Sequence, residues 1–98
     1  MDADTQGGYI RHAARTDATQ AEIVKALRAI GASVYYCKLP LDLLVCHRKE
    51  TMLIEVKEEG GRLTKAQEAF IETWPGRVHV VRGPMEAVAA VIGTEAMK

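Results

Sequence analysis

The sequence predicts a single α/β domain with a mixed four-stranded sheet flanked by helices, in the order α-β-β-β-α-β-α. Three observations predict it. Two short aliphatic runs, LLVC at 43–46 and MLI at 52–54, flank the polar break His47-Arg48-Lys49-Glu50, as the strands of a hairpin do. Helical apolar spacing precedes this pair at Ile23, Val24, Leu27 and Ile30, and follows it at Phe70, Ile71 and Trp74. A last short run, RVHVV at 77–81, comes after the second helix, which is long enough to act as a crossover and so make its flanking strands parallel.

Taken in order, residues 1–15 show no sustained period, and Gly7-Gly8 favours flexibility, so they read as an N-terminal arm. The domain proper is expected over 16–93, with a C-terminal tail at 94–98. Asp17 is an apt N-cap with Gln20 three residues on, and Gly31 stops the helix they open. SVYYCKL at 33–39 reads as a strand ended by Pro40, and Asp42 leads into the second strand. The third strand is expected over 51–57, and Glu58-Glu59-Gly60-Gly61 is a loop. Thr64 with Gln67 at N3 repeats the capping box, and Pro75-Gly76 ends that helix. Gly83-Pro84 opens a last helix with Met85, Val88, Ala89 and Ile92 expected inward.

A chain of 98 residues, 48% hydrophobic and 27% charged, has the make-up of a folded domain with one core rather than of a disordered segment. No apolar run approaches a membrane span, and the acidic, polar start MDADTQGGY is unlike a signal peptide, so a cytoplasmic protein is expected. Cys37 and Cys46 lack a CxxC or histidine-rich context; they are expected to be reduced and buried, not zinc ligands. Thirteen basic and 13 acidic residues give no net charge, whereas nucleic-acid binders usually carry a basic face. Distribution matters more than the sum. Arg11, His12 and Arg15 cluster near the N-terminus, Arg62 and Lys65 follow the hairpin, and Asp42, Glu55, Glu58 and Glu59 form an acidic group that a divalent cation would partly neutralise.

The hairpin register converts that pattern into chemistry. With Arg48-Lys49 as the loop, opposed residues sum to 97, which sets Asp42 across from Glu55. Opposed side chains share a face with Cβ atoms roughly 4.5–5.5 Å apart. Lys57, two residues beyond Glu55, shares it too. Two carboxylates that close repel unless a proton or a cation lies between them, and a few hard oxygen ligands suit Mg²⁺ or Mn²⁺. Simpler readings stand beside this one. Glu55 and Lys57 can pair on a solvated face, Gln67 can serve only its capping box, and Glu22 can be a solvated residue early in its helix. Arg62 and Lys65 can be a solvated loop–helix junction. Phe70 and Trp74 read as core, and His47 and His79 as strand residues rather than ligands.

Glu22 on the first helix, Asp42, then Glu55-Val56-Lys57, then Gln67 on the next helix resembles the PD-(D/E)XK nuclease superfamily, and within it the small virus-type replication-repair (VRR-NUC) nucleases. The similarity runs from residue 16 to residue 92, through QAEIVKALRAIGASVYY, DLLV, LIEVK, RLTKAQ and RVHVVR; the family's Pro-Asp pair is here Pro40-Leu41-Asp42. The resemblance implies a Mg²⁺- or Mn²⁺-dependent endodeoxyribonuclease without an organic cofactor. Asp42, Glu55 and the Val56 backbone carbonyl would hold the cation, with Glu22 reaching it directly or through water. Lys57 would act on the attacking water or the phosphate, and Gln67 would orient Lys57 or a phosphate. Arg62, Lys65, Arg11 and Arg15 would meet the DNA backbone. It further implies branched or Holliday-junction-like DNA as substrate, a role in phage or bacterial DNA repair, and a homodimer, with Tyr35-Tyr36 and the arm as interface candidates. A catalytically inactive nucleic-acid-binding module of the same fold is the alternative.

Overall fold

A computed structural model describes residues 7–93, with side chains described from residue 18 onward. Helix α1 (Gly7–Ala29) begins well before Asp17, which lies inside it rather than at its cap. Residues 9–18 contain no proline and are rich in alanine and arginine, so helix propagates through them readily. The part of the expected arm at 1–6 and the tail at 94–98 lie outside the described residues. At its C-terminal end α1 closes in a Schellman motif. Gly31 takes a φ of 94°, its N–H donates to the Arg28 carbonyl at 3.0 Å, and the Ala32 N–H donates to the Leu27 carbonyl at 3.0 Å.

Strand β1 (Ser33–Tyr36) is shorter than expected because Lys38, with a φ of 72°, turns the chain ahead of Pro40. It pairs antiparallel with β2 (Leu43–His47), which pairs antiparallel with β3 (Glu50–Val56). Helix α2 (Lys65–Thr73) then leads to β4 (Arg77–Val81), which lies parallel to β3, giving the order β1-β2-β3-β4. Both halves of the Thr64–Gln67 capping box form. The chain closes with α3 (Pro84–Val88) and a π-helical turn over Ala89–Gly93. The fold is thus α/β with a mixed four-stranded sheet between flanking helices, in the order expected. No described helix is long and apolar enough to cross a membrane.

Arg48 and Lys49 form the β2–β3 loop with φ of 53° and 70°. Two left-handed central residues make a type I′ turn, whose twist suits a hairpin but which favours Asn-Gly. Left-handed backbone costs ordinary L-residues roughly 1–2 kcal/mol each. Replacing Arg48-Lys49 by Asn-Gly is therefore expected to raise unfolding free energy by about 1 kcal/mol. Urea denaturation reads this; an unchanged or lowered midpoint would contradict it.

The core lies on one face of the sheet. Val34, Leu43, Val45, Met52, Ile54, Val56 and Val81 meet Ile23, Val24 and Leu27 of α1 and Ala87 and Val91 of the last helical segment. That segment departs from expectation at Met85, Ala89 and Ile92, while Val88 does pack against the core. Ala87 and Val91 are fully buried, Val88 is partly buried, and Met85 is 87% exposed with Ala89 and Ile92 also outward. The segment is apolar on nearly every side, so its period did not select a face, and packing against α1 decided it. The other sheet face carries Leu44, Leu53, Glu55 and Lys57 by strand alternation, and α2 reaches it through Gln67.

Candidate active site

All five paired positions of the hairpin, from Leu43↔Ile54 to His47↔Glu50, sum to 97, the predicted register. Asp42 stands one residue outside β2. Its carbonyl accepts from the Cys37 N–H at 2.7 Å, continuing the β1–β2 ladder, and its Oδ2 accepts from the Val56 N–H at 2.8 Å. The carboxylate thereby takes a backbone donor at the end of β3 and is drawn beside Glu55. Leu41, the residue that separates Pro40 from Asp42, is fully buried and anchors this approach. Leu41→Ala is expected to cost about 2–5 kcal/mol of stability. It should also loosen Asp42, which would show in thermal melts as a smaller response to Mn²⁺ than the wild type gives.

Glu55 is 3% exposed. Its Oε2 accepts from Gln67 Nε2 at 2.8 Å and lies 3.4 Å from Lys57 Nζ. Its Oε1 is buried and has no hydrogen-bond partner. Gln67 is held in turn, because its Oε1 accepts the Thr64 N–H at 3.0 Å. One amide therefore caps α2 and holds Glu55, and its side-chain bond goes to that carboxylate rather than to Lys57. Burial, followed by the nearby Asp42 charge, raises the Glu55 pKa above the ordinary carboxylate value; Lys57 and a backbone hydrogen bond from Asp42 oppose the rise.

Asp42, Glu55, Val56, Lys57, Glu58, Gly61 and Arg62 line a recess of about 300 Å³. Its outer wall is the turn after β3. There the Gly61 N–H donates to the Glu58 carbonyl at 2.8 Å and Gly60 takes a φ of 78°. Arg82, just past β4, donates to the Gly61 carbonyl at 2.8 Å, and the Lys57 N–H donates to the Val81 carbonyl at 3.0 Å. Sequence reasoning missed Arg82 and Gly61. The register Val56↔Val81, extended by one residue, sets Lys57 beside Arg82, but a parallel register depends on how α2 crosses the sheet and neither strand's sequence marks it.

Glu22 is exposed and lines neither recess that Asp42 borders. Gln20 does, in a second recess with Tyr36, Lys38 and Asp42. Gln20 shares the stripe of Ile23, Val24 and Leu27 at helical spacing, whereas Glu22 is off it. Among the described residues no three His, Cys, Asp or Glu side chains converge on a common point, which leaves Asp42 and Glu55 as a carboxylate pair. Lys65, at the first position of α2, is exposed and does not line the Asp42–Glu55 recess. Arg11 and Arg15 fall on α1 outside the described side chains. Both cysteines are free thiols but half-buried rather than buried. Phe70 is likewise half-buried, and Trp74, at the α2 C-cap, is 44% exposed, so neither is the core residue expected. His47 Nε2 lies 3.3 Å from the Ile30 carbonyl, and His79 sits in β4 with its pKa lowered by burial and by Arg77. Comparison with protein-family models, with curated proteins and with solved structures returned no match.

Proposed function

We propose that this protein is a divalent-metal-dependent nuclease of the PD-(D/E)XK kind, most like the VRR-NUC nucleases, that hydrolyses DNA phosphodiester bonds. The observation that carries the reading is the Glu55 Oε1: a buried carboxylate oxygen without a partner, beside a second carboxylate, on a residue that lines an open recess. Leaving a charged group so placed is costly unless a cation or proton completes it. Asp42, Glu55 and the Val56 carbonyl would hold Mg²⁺ or Mn²⁺, a donor set that suits ions keeping several waters and a substrate phosphate. When bound, the metal supplies Lewis acidity and lowers the pKa of water.

The chain's own groups do the rest. Gln67 holds Oε2, which leaves Oε1 as the carboxylate oxygen without a protein partner. Lys57 sets its ammonium beside that carboxylate, where it offsets charge growing on a phosphate in the transition state. Arg62 lines the same recess and faces the anionic backbone, with Lys65 on the adjoining helix. Branched DNA, including four-way junctions, is the favoured substrate, since a domain this small offers little surface for reading a long duplex. Cutting two strands symmetrically needs two sites, and the exposed Tyr35 and Tyr36 suit a twofold dimer interface. Two free thiols fit the reducing cytoplasm of a bacterium or phage-infected cell. The test is incubation with labelled linear, flap and four-way-junction DNA in Mg²⁺, Mn²⁺ or EDTA. Cleavage of any of them in metal and none in EDTA is expected; no cleavage under any divalent cation would sink the reading.

A further inference from the structure

We propose that the apolar cleft between the β2–β3 hairpin and the end of α2 takes an unpaired nucleobase of the strand being cut. This rests on the nuclease reading and deepens it by naming the substrate feature that the protein grips. The cleft encloses about 470 Å³, with Leu44, Leu53, Pro40, Cys37, Thr51 and Trp74 on its walls. Leu44 and Leu53 are cross-strand partners. Leu53 lies two residues before Glu55 on β3, so it shares that sheet face about 7 Å away. Lys57 lies two residues further on, so a base in the cleft would be about two to four nucleotides from a phosphate beside Glu55 and Lys57, given about 3.4 Å of rise per stacked nucleotide.

The aromatic wall is held in place before any ligand arrives. Trp74 stacks on Phe70 with ring centroids 5.2 Å apart and planes at 24°. Its Nε1 edge rests on Gly76, where an added Cβ would lie only 2.7 Å away. Yet the indole is 44% exposed. A rigid, exposed ring loses little entropy when a base stacks on it. Charge supplies the second half of the match, because Leu44 and Leu53 of the cleft share the sheet face that carries Lys57, and Arg62 lines the recess beside Lys57. Flat apolar groups strung along an anionic backbone are what a single strand presents. The polar groups on the walls are few, Thr51, Cys37 and Arg77, and the Arg77 guanidinium is already engaged by Glu50, so stacking rather than base selection dominates. A base inside a duplex cannot reach such a cleft without leaving its stack, so the cleft favours flaps, branch points and single strands.

The test uses the full chain in EDTA, where cleavage cannot interfere, and its single tryptophan as reporter. The probes are an oligothymidylate, an abasic oligomer of equal length and a blunt duplex. Quenching of Trp74 emission by the oligothymidylate alone is expected. In anisotropy titrations, Trp74→Ala should bind the oligothymidylate about 5–100-fold more weakly and the abasic oligomer unchanged. Gly76→Ala, which displaces the indole without removing it, should reduce the quench. Equal wild-type affinity for base-bearing and abasic strands overturns the proposal, and that comparison needs no variant to fold. It is also overturned if Trp74→Ala binds both strands like wild type but loses self-association by sedimentation, which would assign the cleft to a second copy. A base-dependent quench without cleavage in any metal would remove the nuclease reading and leave the cleft; cleavage without base dependence would remove the cleft alone.

Discussion

Lys57→Ala is expected to lower single-turnover cleavage by about 10²–10³-fold while leaving metal and DNA binding near wild type. The ammonium is half-buried, 3.4 Å from Glu55 Oε2, and its backbone N–H is tied to β4, so its position is fixed before substrate arrives. A preset charge in a partly dehydrated recess favours the transition state, where the phosphate gains charge, more than the ground state. Binding should hardly notice its loss. The dependence of affinity on salt counts phosphate contacts, and Lys57 would contribute at most one. Arg62→Ala should show the opposite pattern, weakening binding at moderate salt and sparing the single-turnover rate at saturating protein. Equal cleavage by wild type and Lys57→Ala in Mn²⁺ would mean that Lys57 only pairs with Glu55.

The parts of this site that the sequence made legible are those with a strict local rule. Strand parity fixed Asp42 opposite Glu55 from the loop alone, and all five observed pairs follow that parity. The capping-box spacing put Gln67 at the start of α2, though not its second bond to Glu55, which depends on how α2 crosses the sheet. Where no local rule chose between alternatives, tertiary packing did. Glu22 and Gln20 are two positions apart on one helix, and only the approach of α1 to the β2 end brings Gln20 to Asp42. The last helical segment offers apolar residues on nearly every side, so contact with α1, not period, buried Ala87 and Val91. Trp74 reads as the final member of the α2 apolar stripe. The helix stops at Thr73, however, and Trp74 takes an extended φ of −79° and ψ of 122°, which carries the ring off the helical stripe to the cleft wall.

Mg²⁺ or Mn²⁺ should stabilise the wild type and do little for Asp42→Asn or Glu55→Gln. A ligand at a hundred times its Kd adds about 2.7 kcal/mol by mass action. In a domain of this size that is a rise in Tm of roughly 10–20 °C. Without metal the order should invert. Glu55 is buried beside Asp42, so its charged form is disfavoured in the folded state and its pKa lies above the unfolded value. Between those two values the folded state holds more protons than the unfolded one, and stability falls as pH rises. The penalty is absent below the ordinary carboxylate range, grows as pH climbs through the raised Glu55 value, and is complete above it. Glu55→Gln cannot ionise and should lack this decline, while its amide oxygen still accepts from Gln67. Asp42→Asn keeps an acceptor for the Val56 N–H and removes the charge that helps raise Glu55, so its decline should shrink. At neutral pH in EDTA, both variants should therefore melt at or above the wild-type temperature, and adding Mn²⁺ should lift the wild type past them. Equal thermal shifts in all three proteins would show that the cation binds away from this carboxylate pair, and the unpartnered Glu55 oxygen would then need another explanation.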